Sequence, residues 1–76
     1  MTRAEQLERV ITDPAICGGR PCIRGTRIEI PVILDSLAAG MSPEAIRGHF
    51  PQLSNEDILA AIAYASEIAR DSVGKV

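Results

Sequence analysis

Proline, glycine and helix-capping residues divide the second half of the chain into short segments. Pro31 suits the first turn of a helix, because the N–H that proline lacks would have no intrahelical partner there. Gly40 suits the position just after a helix end, where a left-handed backbone is common. Ser42 and Pro43 combine a capping residue with a first-turn proline, and Pro51 stops the segment that they begin. Two short helices are therefore predicted between these breaks.

A longer helix is predicted after Ser54, which opens an S-N-E-D run with carboxylates near the positive end of the helix dipole. This third helix should end at about Arg70. Its apolar residues recur at helical spacing and are predicted to face the core. They are Ile58, Ile62, Ala65 and Ala69, with Leu59 and Ile68 alongside. The inward face predicted for the first helix consists of Val32, Ile33, Leu34, Leu37 and Ala38.

The first half of the chain is predicted to form a β arm over residues 7–30, preceded by a frayed polar segment at residues 1–6. β-branched residues dominate two parts of the arm, and a glycine pair between them can adopt the positive φ of a turn. Ile23 and Ile28 flank Gly25 and are expected to anchor the arm to a core.

These elements predict a mostly α protein, a three-helix bundle with an N-terminal β-hairpin arm. The tight turn between the first two helices fits a helix-turn-helix motif. Periodicity alone favours a plain three-helix bundle, because many bundles share this pattern. Both arrangements therefore remain open at the level of the sequence.

Length and charge indicate one small domain whose two sequence halves carry opposite net charge. Seventy-six residues predict a single domain, with the arm at 7–30, the bundle at 31–70 and a tail at 71–76. Such a chain is marginally stable alone, so surface buried against a partner is expected to add stability. Residues 1–27 carry five arginines and three acids, a net charge of +2. Residues 28–76 carry three basic and seven acidic groups, a net charge of −4.

Several classes of protein find no support in the sequence. No run approaches the ~20 apolar residues that span a bilayer, and the charged N-terminus lacks the apolar stretch of a signal peptide, so a cytoplasmic protein is expected. Cys17, Cys22 and His49 are too few ligands for a structural zinc site, and the cysteine spacing differs from the redox Cys-x-x-Cys. Reduced thiols that pack as small apolar side chains are expected. No catalytic residue, metal or cofactor is predicted.

The arginines of the arm are the main candidates for a binding function. Arg20, Arg24 and Arg27 lie in a stretch without acids and could contact DNA phosphates, as basic arms do. The third helix is a poor DNA reader, because its first turn carries acids that would meet phosphates of like charge. The arginines could equally pair with acids on a second subunit, and the sequence leaves the two interpretations open.

One pattern runs through the arm and the helices together. Residues 13–28 read D-P-A-I-C-G-G-R-P-C-I-R-G-T-R-I, residues 38–46 read A-A-G-M-S-P-E-A-I, and residues 51–65 read P-Q-L-S-N-E-D-I-L-A-A-I-A-Y-A. Over about residues 9–66, this combination resembles the small prokaryotic family called domain of unknown function 433 (DUF433). The arm positions that carry the resemblance are Gly19, Pro21, Ile23, Gly25, Thr26, Arg27 and Ile28.

The resemblance implies both a fold and a role. It implies a homeodomain-like three-helix fold with an N-terminal β arm, and a VapB-type antitoxin whose partner is a toxin with a PIN-like ribonuclease fold. Members are expected to form homodimers and to bind their operator DNA. No catalytic residue is implied. The alternative, favoured by the negative net charge, is a protein-interaction module that does not bind DNA.

Three sets of candidate residues follow from the arm, the resemblance and the third helix. DNA binding is expected of Arg20, Arg24, Thr26 and Arg27. Arm shape and dimer contacts are expected of Gly19, Pro21, Ile23, Gly25 and Ile28. Toxin binding is expected of Tyr64, Glu67 and Arg70, on the acidic and alanine-rich third helix.

Overall fold

The computed structural model describes residues 1–72 and is mostly helical, with four helices and a short two-stranded hairpin. In chain order the elements are α1 (Arg3–Glu8), β1 (Val10–Ile11), a 3₁₀ turn (Cys17–Gly19), β2 (Cys22–Ile23), α2 (Ile30–Ala38), α3 (Pro43–His49) and α4 (Asn55–Ser72). The two strands pair antiparallel, with Val10 opposite Ile23 and Ile11 opposite Cys22. The four residues that follow Ser72 belong to the predicted tail and lie outside the described residues.

Helix α1 replaces the frayed segment predicted for residues 1–6, and that prediction is wrong. The Glu5 amide donates to Thr2 Oγ1 at 3.1 Å, and the Thr2 amide donates to Glu5 Oε1 at 2.7 Å, which completes a capping box. The hydrogen bond from the Thr2 amide holds the pKa of the Glu5 carboxyl below its ordinary value. Arg3 then ties the helix to α4, donating to the Ala63 carbonyl at 3.1 Å and to Glu67 at 2.7 Å.

The three predicted helices are present, with ends close to those expected. Gly40 follows α2 with a φ of 93°, the left-handed conformation that ends many helices. Ser42 caps α3, because its hydroxyl accepts a hydrogen bond from the Ala45 amide at 3.1 Å. Ser54 caps α4 by accepting from the Asp57 amide at 3.1 Å, and α4 continues to Ser72, two residues beyond the predicted end.

The arm is held by backbone hydrogen bonds as well as by its side chains. The Ile23 amide donates to the Ile28 carbonyl at 3.0 Å, and the Ile30 amide donates to the Pro21 carbonyl at 3.0 Å. Ile23 and Ile28 are both buried in the hydrophobic core. Val10 also packs on that core from β1. The hairpin is therefore a packed part of the domain, and each of its strands is only two residues long.

The core has a different composition from the one that helical spacing predicted. Its buried residues are Ile23, Ile28, Ile30, Ile33, Ile46, Leu53, Ile58 and Ala61. On α2, Val32 and Ala38 are exposed, although both were predicted to face inward. On α4, Ile62, Ala69, Leu59 and Ile68 are exposed, so most of the predicted stripe does not face the core. The face that α4 buries instead carries Asp57, Ile58, Ala60, Ala61 and Ala63.

The position of α1 explains this rotation of α4. Arg3 bonds the Ala63 carbonyl, so α1 lies against the side of α4 where the alanines are. Alanine has no side chain beyond Cβ and lets two helices approach closely. The spacing of large apolar residues predicts the core face of a helix only when the rest of the protein packs on one side of it. Helix α4 is packed on two neighbouring sides, by the core and by α1, and its alanines lie under α1.

Candidate interaction surfaces of the arm and of helix α4

Arg20 is held in an ion pair across the arm. Its Nε donates to Glu29 Oε1 at 2.9 Å and its Nη2 donates to Glu29 Oε2 at 3.1 Å, a two-pronged contact. Hydrogen bonding to Glu29 raises the pKa of Arg20, and the same bonds lower the pKa of Glu29. Glu29 is the residue that precedes α2, so the pair joins the turn of the arm to the start of that helix.

Arg24 closes the end of α1. Its Nε and Nη2 donate to the Glu8 carbonyl at 2.9 and 2.7 Å. Carbonyls in the last turn of a helix have no intrahelical partner, and a basic side chain can satisfy them. The Arg24 amide also donates to the Arg9 carbonyl at 2.8 Å. Arg24 therefore has a structural role that accounts for its place in the arm.

Thr26 closes the turn between Ile23 and Ile28. Its hydroxyl donates to the Ile23 carbonyl at 2.8 Å and accepts from the Ile28 amide at 3.0 Å. Gly25 precedes it with a φ of 82°, and Gly19 has a φ of 84° in the other turn of the arm. These glycines take a backbone conformation that other residues adopt only with strain. The Thr26 hydroxyl therefore makes both of these hydrogen bonds within the arm.

Arg27 differs from the other two arm arginines. It is exposed, and within residues 1–72 its side chain forms no hydrogen bond or ion pair. It lines an open cleft of about 450 Å³ that it shares with Ile16, Gly25, Thr26 and Gln52. Arg47 on α3 is likewise exposed and has no such contact in the described part of the chain. The structure thus separates Arg20 and Arg24, which are engaged, from Arg27, which is available.

A second candidate site is the apolar surface of α4. Leu59, Ile62 and Ile68 are 43%, 44% and 52% exposed. With 3.6 residues per turn, Leu59, Ile62 and Ala69 fall on one side of the helix. Next to them, α2 and α4 enclose a groove of about 260 Å³. Its lining is Pro21, Ile30, Pro31, Leu34, Tyr64, Ala65, Ile68 and Ala69. We call the groove together with Leu59 and Ile62 the α4 surface.

The three residues predicted to bind the partner do not lie together. Tyr64 is half-buried and lines the groove. Glu67 lies on the side that faces α1, where it bonds Arg3 at 2.7 Å and Arg70 at 2.8 Å. Neither Glu67 nor Arg70 lines the groove. Tyr64 is therefore the one of the three that belongs to the α4 surface.

The sequence interpretation missed the α4 surface because it assigned most of those residues to the core. A signal for it was present, since apolar residues occupy more of α4 than one buried stripe requires. A helix with apolar residues on several sides has more than one apolar neighbour or leaves one side exposed. Exposed apolar side chains of this kind make α4 a candidate interaction site.

Between Met1 and Ser72, no three His, Cys, Asp or Glu side chains come together as a set able to hold a metal ion. Over the same residues, no helix has the length and hydropathy required to cross a lipid bilayer.

Comparison with known proteins identifies the family. The family model described as "Protein of unknown function (DUF433)" matches residues 10–65, which include the hairpin, α2, α3 and the first part of α4. The chain belongs to the DUF433 family. It is 41% identical over 62 residues to the uncharacterized protein y4eO of Sinorhizobium fredii. The alignment covers 82% of this chain and 28% of that relative, so the chain spans under a third of the relative's length. No solved structure matches the chain.

Proposed function

We propose that this chain is the antitoxin of a type II toxin-antitoxin pair and acts in the cytoplasm by binding a toxin with a PIN-like ribonuclease fold. The observation that carries the proposal is the α4 surface, where Leu59, Ile62 and Ile68 are about half exposed on one small domain. The DUF433 motif supports it, since that resemblance implies a VapB-type antitoxin. The proposal assigns the chain no catalytic activity.

Charge favours a ribonuclease as the occupant of the α4 surface. On the two helices that form it, α2 and α4, the acids Asp35, Glu56 and Asp71 are exposed, and the arginine of α4, Arg70, is paired with Glu67. A ribonuclease must present positive charge to the phosphates of RNA. An acidic helix with an apolar side can lie in such a groove, bury its apolar residues and exclude the substrate. Inhibition by occlusion would require no chemistry from the antitoxin.

The toxin proposal is tested by co-expression with the product of the neighbouring gene, which the proposal expects to be a PIN-like ribonuclease. Wild-type protein should restore growth and co-purify with the toxin. The Leu59→Ser/Ile62→Ser double variant should lose affinity by about tenfold or more, as expected when central apolar anchors are removed. Val32→Ser is the matched control, because Val32 is 40% exposed on α2 but lies outside the groove. Equal binding by the double variant and the control, with circular dichroism showing both folded, would contradict the proposal.

A second candidate function, operator binding, is supported by the free side chain of Arg27. In this proposal α2, α3 and α4 form a homeodomain-like helix-turn-helix, and the arm supplies the phosphate contacts. The first turn of α4 carries Glu56 and Asp57, which disfavours insertion of its start into DNA. Arg47, exposed near the end of α3, could add a second contact.

Operator binding is tested by mobility shift on the upstream DNA at several salt concentrations. Arg27→Ala should weaken binding and reduce the salt slope by about one unit, as loss of one phosphate contact does. Arg20→Ala is the matched control, because Arg20 is engaged by Glu29. If wild-type protein does not shift the DNA, with or without the toxin, the chain is a protein-interaction module without a nucleic-acid function.

The proposal includes a homodimer formed through the arms. β1 pairs with β2, and no other strand within residues 1–72 pairs with the second edge of β1. An unpaired edge can add the same strand of a second copy. Sedimentation should show a dimer, and a stable folded monomer at micromolar concentration would contradict this part of the proposal.

A further inference from the structure

The two cysteines of the arm lie against the same short piece of backbone. Cys17 stands in the 3₁₀ turn, and its thiol donates to the Arg27 carbonyl at 3.3 Å. Cys22 begins β2, and its thiol donates to the Thr26 carbonyl at 3.9 Å. The two thiols contact consecutive carbonyls, and they are also hydrogen-bond partners of each other. Burial raises the pKa of the Cys22 thiol, and a hydrogen bond with the Cys17 thiol raises it further.

The two thiols differ in their access to solvent. Cys17 is half-buried, whereas Cys22 is completely buried. A small oxidant in solution can therefore reach Cys17 but not Cys22. Cys22 is the only other cysteine of the chain, so it is the thiol of the same chain with which an oxidised Cys17 can react.

We propose that Cys17 and Cys22 form a site of oxidative modification, in which hydrogen peroxide converts the two thiols into an intramolecular disulfide. The Cys17 thiolate attacks one peroxide oxygen, the O–O bond breaks, and a sulfenic acid and hydroxide result. The Cys22 sulfur then attacks the Cys17 sulfur, and the sulfenic hydroxyl leaves as water with the Cys22 proton. Two thiols and one peroxide give one disulfide and two waters, with two electrons passing from sulfur to oxygen.

The disulfide would change the part of the arm that carries Arg27. Both thiol donors are lost when the sulfurs join, so the carbonyls of Thr26 and Arg27 lose the hydrogen bonds that now hold them. The new bond also links the 3₁₀ turn covalently to β2, and Arg20 lies in the short loop that it closes. Oxidation therefore acts on the cleft that Arg27 lines.

The experiment treats the reduced full chain with hydrogen peroxide and follows the intact mass and the free thiols. Wild-type protein should lose two hydrogen atoms and all titratable thiol while remaining a single chain on a non-reducing gel. Cys22→Ser should stop at the sulfenic acid, which dimedone traps at Cys17. Cys17→Ser should resist oxidation, because the remaining thiol is buried.

Three results would overturn the proposal. They are a disulfide between two chains, direct over-oxidation of Cys17 in wild-type protein, and oxidation of Cys17→Ser as fast as wild type. The first two are measured on the unaltered chain, so they hold even if a variant folds poorly. Circular dichroism of Cys17→Ser, with Cys17→Ala as a second variant, shows whether a fast reaction reflects an unfolded protein.

Discussion

The guanidinium of Arg9 lies 3.0 Å from the carboxylate of Asp57, and this contact joins the end of α1 to the first turn of α4. The same carboxylate accepts a hydrogen bond from the Ser54 amide at 2.9 Å. Asp57 is only 8% exposed. One acid therefore completes the capping box of α4 and also holds α1 against α4.

Replacement of Asp57 should destabilise the protein strongly. Asp57→Ala removes a cap and leaves Arg9 without its carboxylate, and we expect the free energy of unfolding to fall by about 2–3 kcal/mol. Asp57→Asn keeps an acceptor for the Ser54 amide and should cost about half as much. Urea denaturation followed by circular dichroism measures both. Glu56→Ala is the control, because Glu56 is the exposed neighbour in the same turn. An equal loss of stability in Asp57→Ala and Glu56→Ala would refute the capping and docking roles of Asp57.

Two glycines with open space around them should respond to alanine in opposite directions. Gly40 has a φ of 93° and nothing within 4 Å of an added Cβ, so Gly40→Ala meets only backbone strain and should cost about 1 kcal/mol or more. Gly48 is helical, with equally open space, and Gly48→Ala should stabilise by about 0.5–1 kcal/mol. Thermal unfolding of the two variants decides, and a change of the same sign in both would be inconsistent with these backbone conformations.

The ion pair between Arg20 and Glu29 should make stability depend on acid pH. Hydrogen bonds from Arg20 hold the folded-state pKa of Glu29 below its ordinary value of 4.5. The stabilisation is therefore present above that ordinary value and is lost as the pH falls through the folded-state value. We expect wild type to be more stable than Glu29→Gln at pH 7, with the difference shrinking toward pH 3. In an Arg20→Ala background, Glu29→Gln should produce no such pH-dependent difference.

Removal of one methylene group should distinguish the core from the α4 surface. Ile46 is completely buried, so Ile46→Val should cost about 0.5–1.5 kcal/mol. Ile62 is 44% exposed, and Ile62→Val should change stability by less than about 0.5 kcal/mol. Urea denaturation of the two variants under identical conditions checks the difference. A larger loss at Ile62 would mean that α4 is rotated relative to the structure described above.

The local signals in the sequence were sufficient to locate three helices. Ser42 and Ser54 cap as predicted, and Gly40 takes the left-handed conformation expected after α2. These features depend on residues within one turn of each other, so they can be inferred from spacing alone. Ile23 and Ile28 are buried in the core, as predicted from their positions on either side of Gly25.

Features that depend on distant parts of the chain were not predicted. Thr2 and Glu5 have the spacing of a capping box, but α1 is also held by contacts with α4, about sixty residues away in sequence. Because α1 covers the alanines of α4, the larger Ile62 faces outward, and spacing on α4 alone could not show this. The three arm arginines look equivalent in sequence. Only the folded arm shows that Arg20 and Arg24 are engaged and that Arg27 is not.

The position of Tyr64 gives the domain a built-in optical reporter. The chain contains one tyrosine and no tryptophan, so tyrosine emission from the isolated protein comes from a single ring. That ring lines the groove between α2 and α4. Docking of any chain on the α4 surface would change the solvent around it, and a tryptophan in that chain would quench it by energy transfer. Occupancy of the surface can therefore be titrated by fluorescence on the unlabelled wild-type protein.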